Sequence, residues 1–229
     1  PTWFSRLSRI RPLYGFSGSA TSGCFIRKVY SRDENLLSLT EAKTSARCKA
    51  KALRSQIHRT KSSECSIKIS EHLEKFLISR KELKIVAVYM PIQTEIDIRP
   101  VFVKIRALKR VLCLPVIVSD NKPLNFKVWI ESAKLVKGKF NVLVPLTENF
   151  VEPDLILCPM LSFDTKGYRL GYGGGFYDRS IAHLTKKKSV FVLGCAYSEQ
   201  LSSEKLPCGQ YDKPLNAVAT ENGLDYFTL

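Results

Sequence analysis

Six short apolar runs restrict the fold of this chain more than any other feature. They are KIVAVYM (84–90), VLCLPVIV (111–118), LNFKVWI (124–130), DLILC (154–158), SVFVLGC (189–195) and NAVAT (216–220). Strands with little polar alternation are buried on both faces, as in a sheet covered by helices. Helical spacing fills the intervals. Ala46, Ala50, Leu53 and Ile57 recur within 41–59, with Thr40 placed to cap that helix, and Ile67, Leu73, Phe76 and Leu77 mark a second helix over 63–80. Val101, Phe102, Ile105 and Leu108 predict a helix between the first two strands, and another short one is expected at 176–185. Strands interleaved with helices predict an α/β fold, a three-layer α/β/α sandwich with a mostly parallel central sheet. In such folds ligands gather in loops beyond the carboxyl ends of the strands.

One of those loops is unusual. DTKGYRLGYGGGFYDR (164–179) follows the strand DLILC and leads into a helix, with Gly171, Gly173, Gly174 and Gly175 inside five positions. A loop this poor in side chains lets backbone N–H groups approach a ligand, and its junction with a helix favours an anion. Lys166, Arg169 and Arg179 add positive charge, the two arginines with a planar fork suited to phosphate, and Asp178 is placed to hold a magnesium ion between phosphate oxygens. No Gly-Lys-Ser/Thr follows, so this is not a Walker loop, and Phe176 stands where the dinucleotide fingerprint needs its third glycine. A mobile hinge is the alternative; three cations and an acid around the loop favour phosphate. Other candidates are individually ambiguous. Asp212 in GQYDKP also suits a turn, Glu95 and Asp97 in YMPIQTEIDIRP lie on a loop where acids are common, and Lys51 and Arg54 share a helix face open to solvent.

Charge supports an anionic partner without choosing one. Of 229 residues, 36 are Lys or Arg and 21 Asp or Glu, a formal charge of +15 that favours polyanions or phosphorylated substrates, although a generally basic surface accounts for it equally. On charge alone an RNA-binding module stays open, and on fold alone a sugar-phosphate or CoA-ester enzyme does too. Paired Cys/His spacing, a glycine-aromatic RNA signature and a basic zipper register are absent from the sequence. The seven cysteines form no C-x-x-C pair and several sit in apolar runs, which predicts buried free thiols in a reducing compartment; His58, His72 and His183 are too scattered for a structural zinc site. No run approaches the roughly twenty apolar residues of a membrane helix, so no membrane partner is expected. Residues 1–32 carry Arg6, Arg9, Arg11, Arg27, Lys28 and Arg32 with no acid, in the manner of an organellar transit segment or of an unrelated upstream stretch. The expected organisation is a basic extension over 1–40 and a single domain over 41–229, its folded part starting near Leu39. The expected location is cytoplasmic, or mitochondrial if 1–32 is a true transit segment.

Segments in a fixed order carry a likeness: Leu53-Arg54, YMPIQTEID, LPV (114–116), PDLILCP, FDTKGYRLGYGGGFYDR, GCAYSEQ and YDKPLNAVATE. Over roughly residues 45–225 the chain resembles the 5-formyltetrahydrofolate cyclo-ligase family, also called methenyltetrahydrofolate synthetase, and the string FD-x-x-G-x-RLG-x-G-x-G-x-YD is specific to it. The resemblance implies a three-layer sandwich, ATP as co-substrate, Mg²⁺, and conversion of 5-formyltetrahydrofolate to 5,10-methenyltetrahydrofolate with release of ADP and phosphate through a phosphorylated formyl group. It implies ATP contacts from Lys51, Arg54, Arg169, Leu170, Gly171, Tyr172, Gly173, Gly174, Gly175, Phe176 and Tyr177. Catalytic roles fall to Arg169, Asp178 and Tyr177, folate contacts to Glu95, Phe140 and Tyr177, and metal binding to Asp178 and Asp212. For Phe140 a plain core role is equally expected. A monomer or weak dimer without a nucleic-acid partner is implied. The chain departs from the family pattern in three places. Ala50 stands where the family's helix lysine lies four residues before the arginine, with Lys51 sharing the better face. Tyr172 and Gly174 replace loop positions that are basic in some relatives, with Lys166 able to contribute charge instead, and Tyr211 replaces a common histidine.

Overall fold

The computed structural model describes residues 23–228, with side chains from Ser38 onward, so the transit-type reading of 1–32 falls outside the described side chains. Leu39–Leu229 form one compact unit. The elements in chain order are α1 (Gly23–Ser79), β1 (Ile85–Ala87), α2 (Pro100–Ala107), β2 (Val111–Val116), β3 (Asn125–Val128), β4 (Leu135–Lys137), β5 (Leu143–Pro145), β6 (Leu155–Pro159), β7 (Ser162–Phe163), β8 (Arg169–Leu170), α3 (Phe176–Leu184), β9 (Phe191–Cys195), β10 (Ala217–Thr220) and β11 (Gly223–Tyr226). All six apolar runs form strands of one seven-stranded sheet, ordered β11-β10-β9-β6-β1-β2-β3. Its five central strands are parallel, and β3 and β11 pair antiparallel at the two edges.

Alternate residues of the buried strands point to opposite faces. Val86, Leu112, Leu155, Leu157 and Leu193 pack against Ile69, Leu73 and Leu77 of α1 and Val101, Phe102 and Ile105 of α2. Ala87, Cys113, Ile156, Cys158, Val192 and Val218 pack against Ile181 and Leu184 of α3. Helices therefore cover both faces, and the predicted three-layer α/β/α sandwich is present. Leu73 is fully enclosed at the α1–sheet contact. Leu73→Ala is expected to cost about 2–5 kcal/mol through lost transfer energy and a residual cavity, read as a lower urea midpoint at unchanged slope.

The two helices predicted over 41–59 and 63–80 are one. Thr60, Lys61 and Ser62 include neither Gly nor Pro, and the Thr60 hydroxyl donates back to the carbonyls of Gln56 and Ile57, so nothing interrupts the helical ladder. Thr40 is accordingly interior and not a cap; its carbonyl accepts the Thr44 hydroxyl. At the other end of α1, the buried Arg110 guanidinium donates to the carbonyl of Leu77 in the last turn and to that of Leu83 in the segment that follows, tying the helix end to the start of the sheet. Cys65, Cys113, Cys158 and Cys195 are buried, and burial pushes each thiol up, Cys65 and Cys158 to about 11, which keeps them neutral.

Candidate active site

The direction of the chain's crossovers sets where a ligand can enter. From β1 the chain passes through α2 on one face to β2, whereas from β6 it passes through α3 on the other face to β9. Strands β1 and β6 are neighbours, so the loops leaving their carboxyl ends diverge and open a crevice between them. The β1 loop brings Gln93, Thr94 and Glu95, and the β6 loop brings Met160, the β7–β8 hairpin and the glycine segment.

Arg54 of α1 joins both sides of this crevice. Only 1% exposed, it donates from Nε to Thr94 Oγ1 at 3.0 Å, from Nη1 to the Met160 carbonyl at 2.9 Å, and from Nη2 to the Tyr172 hydroxyl. The Tyr172 ring lies under two cations, Arg54 at 5.4 Å and Lys51 at 5.6 Å from its centroid. Lys51 itself is exposed. Two more cations of the same stripe belong to the site although no motif singles them out. Lys43 Nζ pairs with Asp212 at 2.5 Å and Arg47 Nε donates to the Gly171 carbonyl at 3.0 Å. The spacing Lys43, Arg47, Lys51, Arg54 (steps of four, four and three) was the available signal, since such positions share one helix face.

The glycine segment is shaped by backbone geometry. Gly173 has φ +104° and Gly175, at the N-cap of α3, φ +63°, conformations that residues with a Cβ rarely adopt. Gly171 faces open space. Arg169, its side chain 4% exposed, donates from Nη2 to Asp178 Oδ1 at 2.8 Å and from Nη1 to the Lys213 carbonyl at 2.6 Å, while the Lys213 amide donates to the same Asp178 oxygen. Asp178 takes both bonds through Oδ1, leaving Oδ2 without a hydrogen bond among the described residues. Asp212 accepts the Gly209 amide and Lys43 through Oδ2; burial pushes its carboxyl up, but those two donors outweigh it and hold the group below the usual range. The Lys213 amide on Asp178 brings that acid to the segment carrying Asp212, and a carboxylate with one oxygen left over, as at Asp178, fits Mg²⁺, which takes one or two carboxylates and completes its shell with phosphate and water.

Glu95 is 5% exposed and accepts the Ile92 amide at 3.0 Å. Burial pushes its carboxyl up to about 7, partly opposed by that amide and by Arg54. Between pH 4.5 and 7 the folded chain thus keeps a proton that the unfolded chain has lost. Stability from this group is present at low pH and falls as pH rises through that window. Glu95→Gln keeps the acceptor for Ile92 and removes the titration. Its stability relative to wild type is expected to improve by on the order of 3 kcal/mol between pH 4.5 and 8, measured by urea denaturation across that range.

Several predicted residues occupy other settings. Leu170 is buried in β8 and its carbonyl accepts the Leu161 amide, so neither its side chain nor that oxygen is offered to a ligand. Phe176 packs into the core beside α3 and against the Arg179 guanidinium, 5.0 Å from its centroid. Tyr177 packs there too, and burial pushes its phenol well up. Phe140 is not core. It is 65% exposed, at φ +57° in a 3₁₀ turn, with its ring edge-on to Phe176 at 6.4 Å. Lys166 is not brought to the glycine loop. Asp164 accepts the amides of Lys166 and Tyr168, closing the β7–β8 turn, and Lys166 stands at its tip beside Tyr168, Tyr226 and Phe227. Arg179 donates to the carbonyls of Gly174 and Lys122 and so braces the loop. Asp97 is engaged by Arg99.

These elements define an α/β sandwich with a cationic crevice at the switch point of its sheet. Comparison with known proteins is specific. Residues 39–221 match the 5-formyltetrahydrofolate cyclo-ligase family. The 5-formyltetrahydrofolate cyclo-ligase of Haemophilus influenzae is 27% identical over 77% of this chain and 96% of its own length, and that of Escherichia coli K12 37% identical over 59% and 76%. The solved 5,10-methenyltetrahydrofolate synthetase of Aquifex aeolicus superposes with a TM-score of 0.69 at 30% identity, over 82% of this chain and 93% of that one. The chain belongs to the 5-formyltetrahydrofolate cyclo-ligase family and is a ligase.

Proposed function

We propose that the chain closes the imidazoline ring of 5-formyltetrahydrofolate in an ATP-driven reaction through a phosphorylated formyl group. The observation that carries this reading is the open glycine segment Gly171–Gly175 at the N-terminus of α3, flanked by Arg169 and Arg54 and set beside the buried Glu95. Loop amides, the positive end of α3 and the guanidinium groups offset charge on the transferring phosphoryl group. The formyl oxygen attacks the γ-phosphorus and ADP leaves. N10 then adds to the activated carbon and loses its proton, the C–O bond breaks, and phosphate departs with the former formyl oxygen, leaving 5,10-methenyltetrahydrofolate. Glu95 and Phe140 line the folate side; the carboxyl orients polar atoms and the exposed ring offers a face for stacking. Asp178, with Asp212, would hold Mg²⁺, which would supply positive charge to offset that of the phosphates.

Substrate labelled with ¹⁸O at the formyl oxygen tests the phosphorylated intermediate. The label is expected in inorganic phosphate after one turnover; label retained in water alone would contradict the proposed route.

A further inference from the structure

The strongest feature that the motifs leave unexplained is Arg47. It stands one turn of α1 before Lys51, it is half-buried, and among the described residues it makes no ion pair. Its one hydrogen bond runs from Nε to the Gly171 carbonyl at 3.0 Å, which leaves both terminal nitrogens without a protein acceptor among the described residues. Its guanidinium lies flat against the loop, for a methyl placed on Gly173 would sit 3.2 Å from its central carbon and 3.4 Å from Nη2. Gly171, beside it, borders open space. A half-buried guanidinium with two idle donor groups at the mouth of an amide-rich loop is placed to meet a planar or tetrahedral anion. One turn to one side Lys51 is exposed over the Tyr172 ring, one turn to the other Lys43 has its charge taken by Asp212, and Arg54 spends all three nitrogens on protein acceptors. Arg47 is therefore the half-buried cation of this face that touches the glycine backbone and keeps donors free.

We infer that Arg47 is a nucleotide-binding residue of this enzyme. Its Nε fixes the Gly171–Gly173 backbone from the side of α1, while Nη1 and Nη2 bind phosphate oxygens of the substrate lying in the loop. The inference rests on the proposed ATP reaction and extends it to a residue outside the glycine motif. Lysine reproduces the arrangement only in part, because its three N–H donors radiate from one nitrogen and lack the planar fork that holds the carbonyl at Nε while presenting Nη1 and Nη2 to a phosphate.

The test is steady-state kinetics of Arg47→Gln, Arg47→Lys and Lys49→Met, with ATP and 5-formyltetrahydrofolate varied separately. Lys49 lies about 200° around α1 from Arg47 and is exposed, so its variant removes the same charge from the same helix without touching the loop. Arg47→Gln is expected to raise the KM for ATP roughly tenfold or more while the KM for the folate stays within twofold, as loss of a charge-assisted bond requires. Arg47→Lys is expected to recover only part of that loss, and Lys49→Met to match wild type. An ATP KM within twofold of wild type in Arg47→Gln overturns the inference, as does an equal rise in Lys49→Met, which would reduce the effect to net charge. Absence of ATP-dependent turnover in the wild type would instead remove the underlying reaction, and the inference with it.

Discussion

Arg169→Met is expected to lower kcat/KM by about three orders of magnitude and to destabilise the fold by about 3–5 kcal/mol. Both effects come from one arrangement. The guanidinium is buried between Asp178 and the Lys213 carbonyl, and it ties the strand before the glycine segment to the helix after it. Removing it withdraws a preorganised cation from the loop where phosphoryl charge is to develop. It also leaves the Asp178 carboxylate without its cation in a mostly enclosed setting. The two effects separate in the double variant Arg169→Met with Asp178→Leu. Replacing both partners by apolar groups is expected to restore much of the urea midpoint, because no uncompensated charge is left, while turnover stays low. A double variant that regained activity along with stability would show that Arg169 and Asp178 both serve the fold alone.

Arg54→Met is the second large effect. Three hydrogen bonds are lost together, and the Met160 carbonyl and Thr94 hydroxyl lie on the two loops that form the crevice walls. The expected loss is about 3 kcal/mol, or roughly 10 °C in Tm for a domain of this size. Tyr172→Phe removes only the third of these bonds and is expected to cost about 1 kcal/mol. If the two variants melted alike, the Tyr172 contact would carry the whole effect and the bridge across the walls would carry none.

Much of this architecture was legible in the amino-acid sequence. The parallel strands announce themselves because burial on both faces removes polar alternation, as in DLILC and SVFVLGC. The edge strand β11 escapes notice because Gly223-Leu-Asp-Tyr has a wet side, and the β7–β8 hairpin because two residues are too few for any period. The continuity of α1 is hidden by Thr60, Ser62 and Ser63, which lower helix propensity without breaking the ladder once Ile57, Cys65 and Ile69 are packed on the sheet. Within the site, Gly171–Gly175, Arg169 and Asp178 stand out as a contiguous string. Lys43 and Arg47 do not, because their partners Asp212 and Gly171 lie 169 and 124 residues away. A solvated helix stripe and a binding stripe look identical until the opposing loop is in place. Asp164 shows the reverse case, a motif carboxylate whose visible work is to close a turn around Lys166, Tyr168 and Leu206.

The central claim is that one crevice binds a nucleoside triphosphate next to a formylated pterin and couples them. Incubating the purified chain with 5-formyltetrahydrofolate, Mg²⁺ and limiting ATP, and following methenyltetrahydrofolate by its near-ultraviolet absorbance alongside ADP, measures that coupling directly. The expected result is equal amounts of the two products and none without ATP. Ring closure at the same rate without nucleotide, or ADP release with no folate product, would contradict it.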